Sequence, residues 1–428
     1  MSATELALLI TTTVCIAAFV YGMPIVLCMG MWIVGVSYFG DVLPLSNVGQ
    51  SAFFGLKIFA LLAMPLFILT GDLIRASGIA QRLTEFASAA LRFFPGHTSV
   101  STIAACGFFA AISGSNSATA ATMGRIMIPE MVRRGYDKFF AAATAASGGT
   151  VGVIIPPSLI FIIYGILLNV SPGDLFIAGI IPGALMVFSM MVVAALTSWR
   201  NGWDRPAGIS PREILHAAWK AKLGFVGMVV ALGGIYSGIF SPTEVAGAVV
   251  LYALVTGLLF TAELRWRDIP SVFLDSAVVN GLIAPIVAFS LILQETFVVV
   301  GFPQMVHNFL APLATEAWIA ILIAMVVILI AGCILESVPN VIIWAPILAP
   351  LAAHTGVDPI HFAMIFCVGD AIGFITPPYG LNLYVTAGVT GYPYMRIAWR
   401  ALPYLAALLL AWVVIAAVPA LSLVLLGR

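Results

Sequence analysis

Few side chains in this chain could do chemistry, and they gather in two places. The first joins Ser115-Asn116-Ser117 to Gly148-Gly149-Thr150-Val151-Gly152-Val153-Ile154-Ile155-Pro156-Pro157. The second joins Ser337-Val338-Pro339-Asn340 to Gly369-Asp370-Ala371-Ile372-Gly373-Phe374-Ile375-Thr376-Pro377-Pro378. Hydroxyl, carboxamide and backbone carbonyl oxygens suit hard cations, and with so few carboxylates a monovalent ion such as Na+ fits better than Ca2+. Each proline pair interrupts a helix and frees carbonyls from their donors. The glycines let backbone approach closely. One Na+ site is expected at Ser115, Asn116, Gly148, Gly152, Ile155 and Pro156, and a second at Ser337, Asn340, Gly369, Gly373 and Thr376. Helix N-termini aimed into the cleft between them would favour an anionic group. That anion site is expected to draw on Ser117, Arg125, Thr150, Pro157, Asp370 and Pro378.

Two charged residues near these places have open roles. Arg125 lies eight residues before Arg133, ~12 Å deeper along a helix. It is either the counter-ion of a substrate carboxylate or a side chain that snorkels or pairs with an acid elsewhere. Asp370 could bind the cation, repel a wrong anion or pair with Arg125. Glu336, at the second polar turn, is expected to cap the following helix through its carboxylate. Any one of these Ser, Asn or Gly residues could simply permit close helix packing. Their recurrence argues otherwise.

The two places are copies. Pro156 and Pro377 lie 221 residues apart, and the same offset pairs Pro129 with Pro350, Gly135 with Gly356, Asp137 with Asp358, Gly148 with Gly369 and Gly152 with Gly373. Packing alone does not require one offset for all of them. Matching interruptions in two halves of a membrane chain point to a transporter's binding site.

A membrane is where such elements must sit. The 428 residues are 62% hydrophobic and only 8% charged, with a mean hydropathy of +1.12. A soluble domain carries roughly 25% charged residues. Net charge is zero, which suggests no nucleic-acid partner. The five cysteines are scattered in apolar segments and read as packing residues. No nucleophile elbow, phosphate-binding glycine loop or metal-ligand spacing supports an enzyme.

Spans are expected at 6–22, 24–40 and 50–74, a surface helix at 79–94, a hairpin at 97–134, a broken helix at 138–171 and a span at 173–198. A cytoplasmic connecting loop at 199–222 follows. The second unit repeats the order: 223–240, 242–262, 272–300, a surface helix at 303–314, a hairpin at 316–353, a broken helix at 359–391 and a last span at 402–426. The domains are thus repeat 1 (1–198) and repeat 2 (223–428). About five spans per unit is an odd number, so successive copies must be inverted. The charges agree. Arg133, Arg134 and Lys138 mark the foot of the first hairpin as cytoplasmic by the positive-inside rule, while the foot of the second (His354 to Asp358) lacks Lys and Arg. Arm length alone does not separate re-entrant from spanning hairpins; the inverted parity favours re-entrant. The fold class is an all-α polytopic membrane protein of two inverted repeats.

The stretch SGSNSATAATMGRIMIPEMVRRGYDKFFAAATAASGGTVGVIIPPS (113–158), with GFITPPYGLNLYV (373–385), resembles the large membrane subunit of the TRAP (tripartite ATP-independent periplasmic) transporters, and the resemblance runs over essentially the whole chain. It implies a secondary transporter of the ion-transporter-superfamily fold, in a bacterial inner membrane, driven by a Na+ gradient (two or more ions) and moving a small organic anion such as a carboxylate or sugar acid. It also implies an elevator motion of a transport domain against a scaffold. The implied partners are a small four-helix membrane (Q) subunit, a periplasmic substrate-binding (P) protein and the lipid bilayer. A binding-protein-independent Na+/carboxylate symporter of the same superfold is the alternative.

Overall fold

The computed structural model describes residues 3–21, 23–57, 59–208, 210–310 and 316–428. Among them there is no strand. Among the described residues, seven helices are long and apolar enough to cross a membrane, or eight if Ala63–Ala76 and Ile79–Ala90, bent by 69°, form one span. The 221-residue offset extends to whole elements. Hairpin 1 has arms His97–Ser113 and Asn116–Arg133; hairpin 2 has arms Ala317–Ile334 and Ser337–His354. The second arms begin and end at the same offset. Broken helix 1 is Lys138–Gly149 followed by Leu159–Leu168; broken helix 2 is Pro359–Gly373 followed by Leu381–Thr390. Both proline pairs, Pro156-Pro157 and Pro377-Pro378, carry a cis bond. The offset read from single residues thus extends to whole helices.

The repeats are interwound at the centre. Leu381–Thr390, from repeat 2, packs on the second arm of hairpin 1, and Leu159–Leu168, from repeat 1, packs on the second arm of hairpin 2. A peripheral set surrounds them: Pro211–Tyr236 lies against Ile79–Ala90, Pro242–Val255 against Ala63–Ala76, and Ile269–Val300 against Ile25–Gly40, Leu45–Leu56 and Ala63–Ala76. Burial marks the centre. All but two of the seventeen residues of His97–Ser113 are buried, as is every residue from Phe140 to Gly149. Hairpin 2 differs: Trp318, Leu322, Val326 and Ile330 are all exposed on one stripe of its first arm. That i, i+4 apolar stripe is what a lipid-facing helix presents.

Three boundaries depart from expectation. The connecting loop is not 199–222, because a helix starts at Pro211. Ser210 caps it, accepting from the Glu213 N–H at 3.4 Å, and Pro211 occupies its first turn. Of the cations that suggested a loop, Arg212, Lys220 and Lys222 lie on this helix and Arg200 on the preceding one, leaving Arg205 between them. The last long helix runs Tyr394–Ala417, not 402–426. It starts behind Pro393 and stops before Pro419, which cannot extend it. The span expected at 50–74 is interrupted: Leu45–Leu56, a 3-10 turn Phe59–Leu62, then Ala63–Ala76. Pro65 cannot donate to the preceding turn, so the helix restarts just ahead of it.

The shortened loop grips hairpin 1. Asp204, at φ 44°, accepts hydrogen bonds from the Thr98 N–H (3.3 Å), the Thr98 hydroxyl and the Tyr136 hydroxyl (3.0 Å). Gly96 caps the first arm without a side chain, so Asp204 supplies from outside the acceptor that this helix start lacks.

Candidate functional site

The first tip is a sharp turn, Ser113-Gly114-Ser115, in which Gly114 takes φ +61°. Ser115 caps the second arm, its hydroxyl accepting from the Ala118 N–H at 3.4 Å. Lys138–Gly149 gives way to a 3-10 turn at Thr150–Val153, and Ser158, donating to the Val153 carbonyl at 2.5 Å, caps the next helix. Tip and break touch. A Cβ on Gly152 would collide with the Ser115 carbonyl and lie 2.7 Å from the Asn116 nitrogen. Asn116 is 2% exposed, yet neither its Oδ1 nor its Nδ2 has a hydrogen-bond partner. Ser147 Oγ, nearby in the sequence of the same break, is also unpartnered. An unsatisfied buried polar atom costs ~1–3 kcal/mol. A native site that tolerates several is suited to a ligand that satisfies them.

The second tip has different chemistry. Glu336 occupies the N-cap position of Ser337–His354, but its side chain makes no capping bond. The expected carboxylate cap is absent, and Glu336 is instead exposed to the cavity described below. Asp370 is fully buried and ties tip to break: Ser337 Oγ donates to Oδ2, and Asn340 Nδ2 donates to Oδ1 at 2.7 Å. Asn340 Oδ1 remains unpartnered. Here Gly373 packs on the first arm, where a Cβ would strike the Gly332 carbonyl group and lie 2.7 Å from its Cα. Gly373→Ala is therefore expected to push hairpin 2 off its break, destabilising by about 1–3 kcal/mol. Gly388→Ala, where a Cβ meets nothing within 4 Å, should be neutral or slightly stabilising. Thermal unfolding of the two variants in detergent measures the contrast, and equal midpoints would refute the tight contact.

Both tips reach one cavity of about 500 Å3, lined by Ser115, Asn116, Ser117, Arg125, Glu336 and Ser337 among others. Its remaining wall includes Asp72, Arg75 and Asp275 on the peripheral helices Ala63–Ala76 and Ile269–Val300. The second arms of both hairpins start here, so two helix N-termini border the cavity. Arg125 is exposed and makes no ion pair with a described residue.

The cavity gathers only part of the expected set. Ser115, Asn116, Ser117, Arg125 and Ser337 line it. Asn340, Asp370, Gly152 and Gly373 lie behind the tips in the contacts just described. Thr150 donates to the Ser147 carbonyl at 2.7 Å and Thr376 to the Ile372 carbonyl at 2.8 Å, each staying on its own chain turn. The space around Gly148 is filled by Cys106 and that around Gly369 by Trp412, so both serve close packing. Pro157 lies against Gly114 through its carbonyl. Ile155 and Pro156 line a separate apolar cavity of about 680 Å3 with Phe86, Phe108 and Tyr236. Pro378 is exposed, and its carbonyl accepts from the Tyr394 hydroxyl at 2.8 Å. Asp370 neither lines the cavity nor meets Arg125; it is bound to the second tip.

One residue escaped the sequence reading. Asn382 is fully buried, donates through Nδ2 to the Ala146 carbonyl at 3.1 Å, and leaves Oδ1 unpartnered. It carries repeat 2 into the break of repeat 1. Its mate at the repeat offset is Phe161, so the symmetry that marked the other residues could not mark this one.

Comparison with known proteins agrees with this architecture. The family model for the tripartite ATP-independent periplasmic transporter, DctM component, matches residues 12–421. The C4-dicarboxylate TRAP transporter large permease protein DctM of Pseudomonas aeruginosa is 38% identical over 367 residues, 86% of each chain. The isethionate TRAP transporter permease protein DctMQ of Oleidesulfovibrio alaskensis is 35% identical over 413 residues, covering 95% of this chain and 64% of its own. Among solved structures, Neisseria gonorrhoeae MtrF superposes with a TM-score of 0.60 at 15% identity, over 87% of this chain and 83% of MtrF, a likeness of fold. With two hairpins, two interrupted helices and a family match over nearly its whole length, the chain is a multi-pass membrane transporter subunit, not an enzyme, and belongs to the DctM family of large permease subunits of TRAP transporters.

Proposed function

We propose that this subunit imports a small organic anion across a bacterial inner membrane, coupled to Na+, by an elevator motion of the interwound centre against the peripheral helices. The observation that carries the proposal is the convergence of two hairpin tips, each with a buried unpartnered carboxamide oxygen, on a cavity holding an unpaired arginine. The oxygen-only donor set fits Na+. The first ion would be held by Ser115, Asn116 and carbonyls of the 148–156 turn, the second by Ser337, Asn340, Asp370 and the turn at Gly373 to Thr376. Bound Na+ supplies positive charge beside the cavity and a partner for the stranded oxygens. The first tip itself sets the anion: Ser117 and the helix start at Asn116 offer donors, and Arg125 offers a planar fork for a carboxylate or sulfonate.

The cavity's peripheral wall, Asp72, Arg75 and Asp275, sits at the ends of helices leading to the basic segments around Arg82 and Arg265–Arg267. By the positive-inside rule those segments are cytoplasmic, which supports an inward-open conformation. The relatives are named for C4-dicarboxylate, a dianion, and isethionate, a monoanion, so the cargo's charge has to be read from the cavity. The DctMQ relative joins M and Q in one name, which supports a small Q subunit as partner here, with a periplasmic binding protein delivering the solute. Proteoliposomes holding this chain and its small subunit should accumulate solute only with both an inward Na+ gradient and the soluble binding protein. Uptake by the membrane subunits alone would favour a self-sufficient symporter, and uptake without Na+ would defeat the coupling.

A further inference from the structure

The cavity between the tips carries two cationic and three anionic side chains, and they do not count equally. Arg75 Nη2 lies 3.3 Å from Asp72 Oδ1, and Ser276 Oγ donates to Asp72 Oδ2 at 2.7 Å. That pair is neutral and tied to the peripheral wall. Left over are one cation, Arg125, and two carboxylates, Asp275 and Glu336, both exposed to the cavity. Neither carboxylate has an ion-pair partner among the described residues.

We infer that the cavity selects a solute with a single anionic group, whose other end is neutral and hydroxyl-bearing or cationic. This rests on the anion-transport reading and narrows it. The anion meets Arg125 and the helix start at Asn116; the remainder of the solute lies toward Asp275 and toward Glu336, which stands at the N-cap of the other helix start. Hydroxyl or ammonium groups can donate to those carboxylates, which only accept. A second carboxylate on the solute would face them with nothing to donate and like charge to repel. Across a cavity of this width that repulsion is worth about tenfold in affinity after solvent screening. Asp275 and Glu336 thus act as specificity-determining residues that exclude dianions.

Labelling of a cysteine in the cavity tests this. The five native cysteines are buried, so a polar maleimide should report on Ala121→Cys, a cavity-lining position with no polar side chain of its own, in the purified complex with its small subunit, in Na+ buffer. The probes are size-matched pairs differing by one charge: 4-hydroxybutyrate with succinate, and gluconate with glucarate. In at least one pair the monoanion should slow labelling at about tenfold lower concentration than its dianion, and the gap should close in an Asp275→Asn/Glu336→Gln double variant. Asp275→Asn alone, exposed and without a protein partner, carries the comparison if the double variant folds poorly. A dianion protecting as well as its monoanion, or a gap that survives removal of both carboxylates, overturns the inference while the anion cavity stands. Protection by no compound overturns both.

Discussion

Asn116→Ala should raise the Na+ concentration needed for half-maximal transport by at least about tenfold while leaving the Na+-free protein as stable as the parent, or more so. The usual result of truncating a buried side chain is a loss of stability. Here the side chain is buried and both of its polar atoms are unpartnered. Each unsatisfied group costs ~1–3 kcal/mol, so its removal relieves the ion-free state. The ion-bound state loses a ligand, and 1.4 kcal/mol corresponds to about tenfold in affinity. Asn340→Ala is expected to behave differently, because its Nδ2 donates to Asp370. Removing that donor strips a buried carboxylate of one of its two partners, so stability should fall even without Na+. Thermal unfolding with and without Na+, read beside the Na+ dependence of uptake, separates the two variants. If Asn116→Ala left Na+ activation unchanged, its oxygen would be no ligand.

Arg125 carries the other large effect. Arg125→Gln should weaken solute binding by about a hundredfold and Arg125→Lys by about tenfold, since an ammonium retains the charge but not the planar fork. Neither should alter stability, because Arg125 is exposed and makes no ion pair with a described residue. The solute concentration giving half-maximal uptake in the reconstituted complex measures this. Equal values for parent and Arg125→Gln would mean that Arg125 only snorkels toward the cytoplasm.

The repeat was legible in sequence because it is a matter of spacing. Proline pairs, glycines and polar tips recur at one offset, and the coordinates keep that offset down to both ends of the hairpins' second arms. What spacing could not reveal is where the copies differ. Asn116 and Asn340 look equivalent, yet the mate of Asn340 is Thr119, whose hydroxyl is spent on the Ser115 carbonyl and Ser113. Asp370 stands at the position matched by Gly149, where any Cβ would lie 2.7 Å from the Ala120 Cβ, so a carboxylate fits one break and not the other. Thr150, Thr376 and Pro378 sit at the right sequence distance from the breaks, but the two hydroxyls are engaged on neighbouring turns and the Pro378 carbonyl by Tyr394. Asn382 was invisible because its partner lies 236 residues away in the opposite repeat. A local cap needs no such distant partner: Ser241 and Glu244 form a reciprocal box, with the Ser241 N–H donating to Glu244 at 2.7 Å and the Glu244 N–H to Ser241 at 3.4 Å.

The crossing of the repeats has a consequence for biogenesis. Ala146 is synthesised 236 residues before Asn382, the side chain that binds its carbonyl. At ~5–20 residues per second the delay is on the order of 10–50 s. Through that interval the first half sits in the bilayer with a broken helix and a polar tip whose covering helix, Leu381–Thr390, does not yet exist. Hairpin 2 faces no such delay, because Leu159–Leu168, on which its second arm packs, precedes it in the chain. Insertion and assembly are therefore separate events for this chain. Until the second half is made, the break at Ala146 and the first tip lack the helix that later covers them.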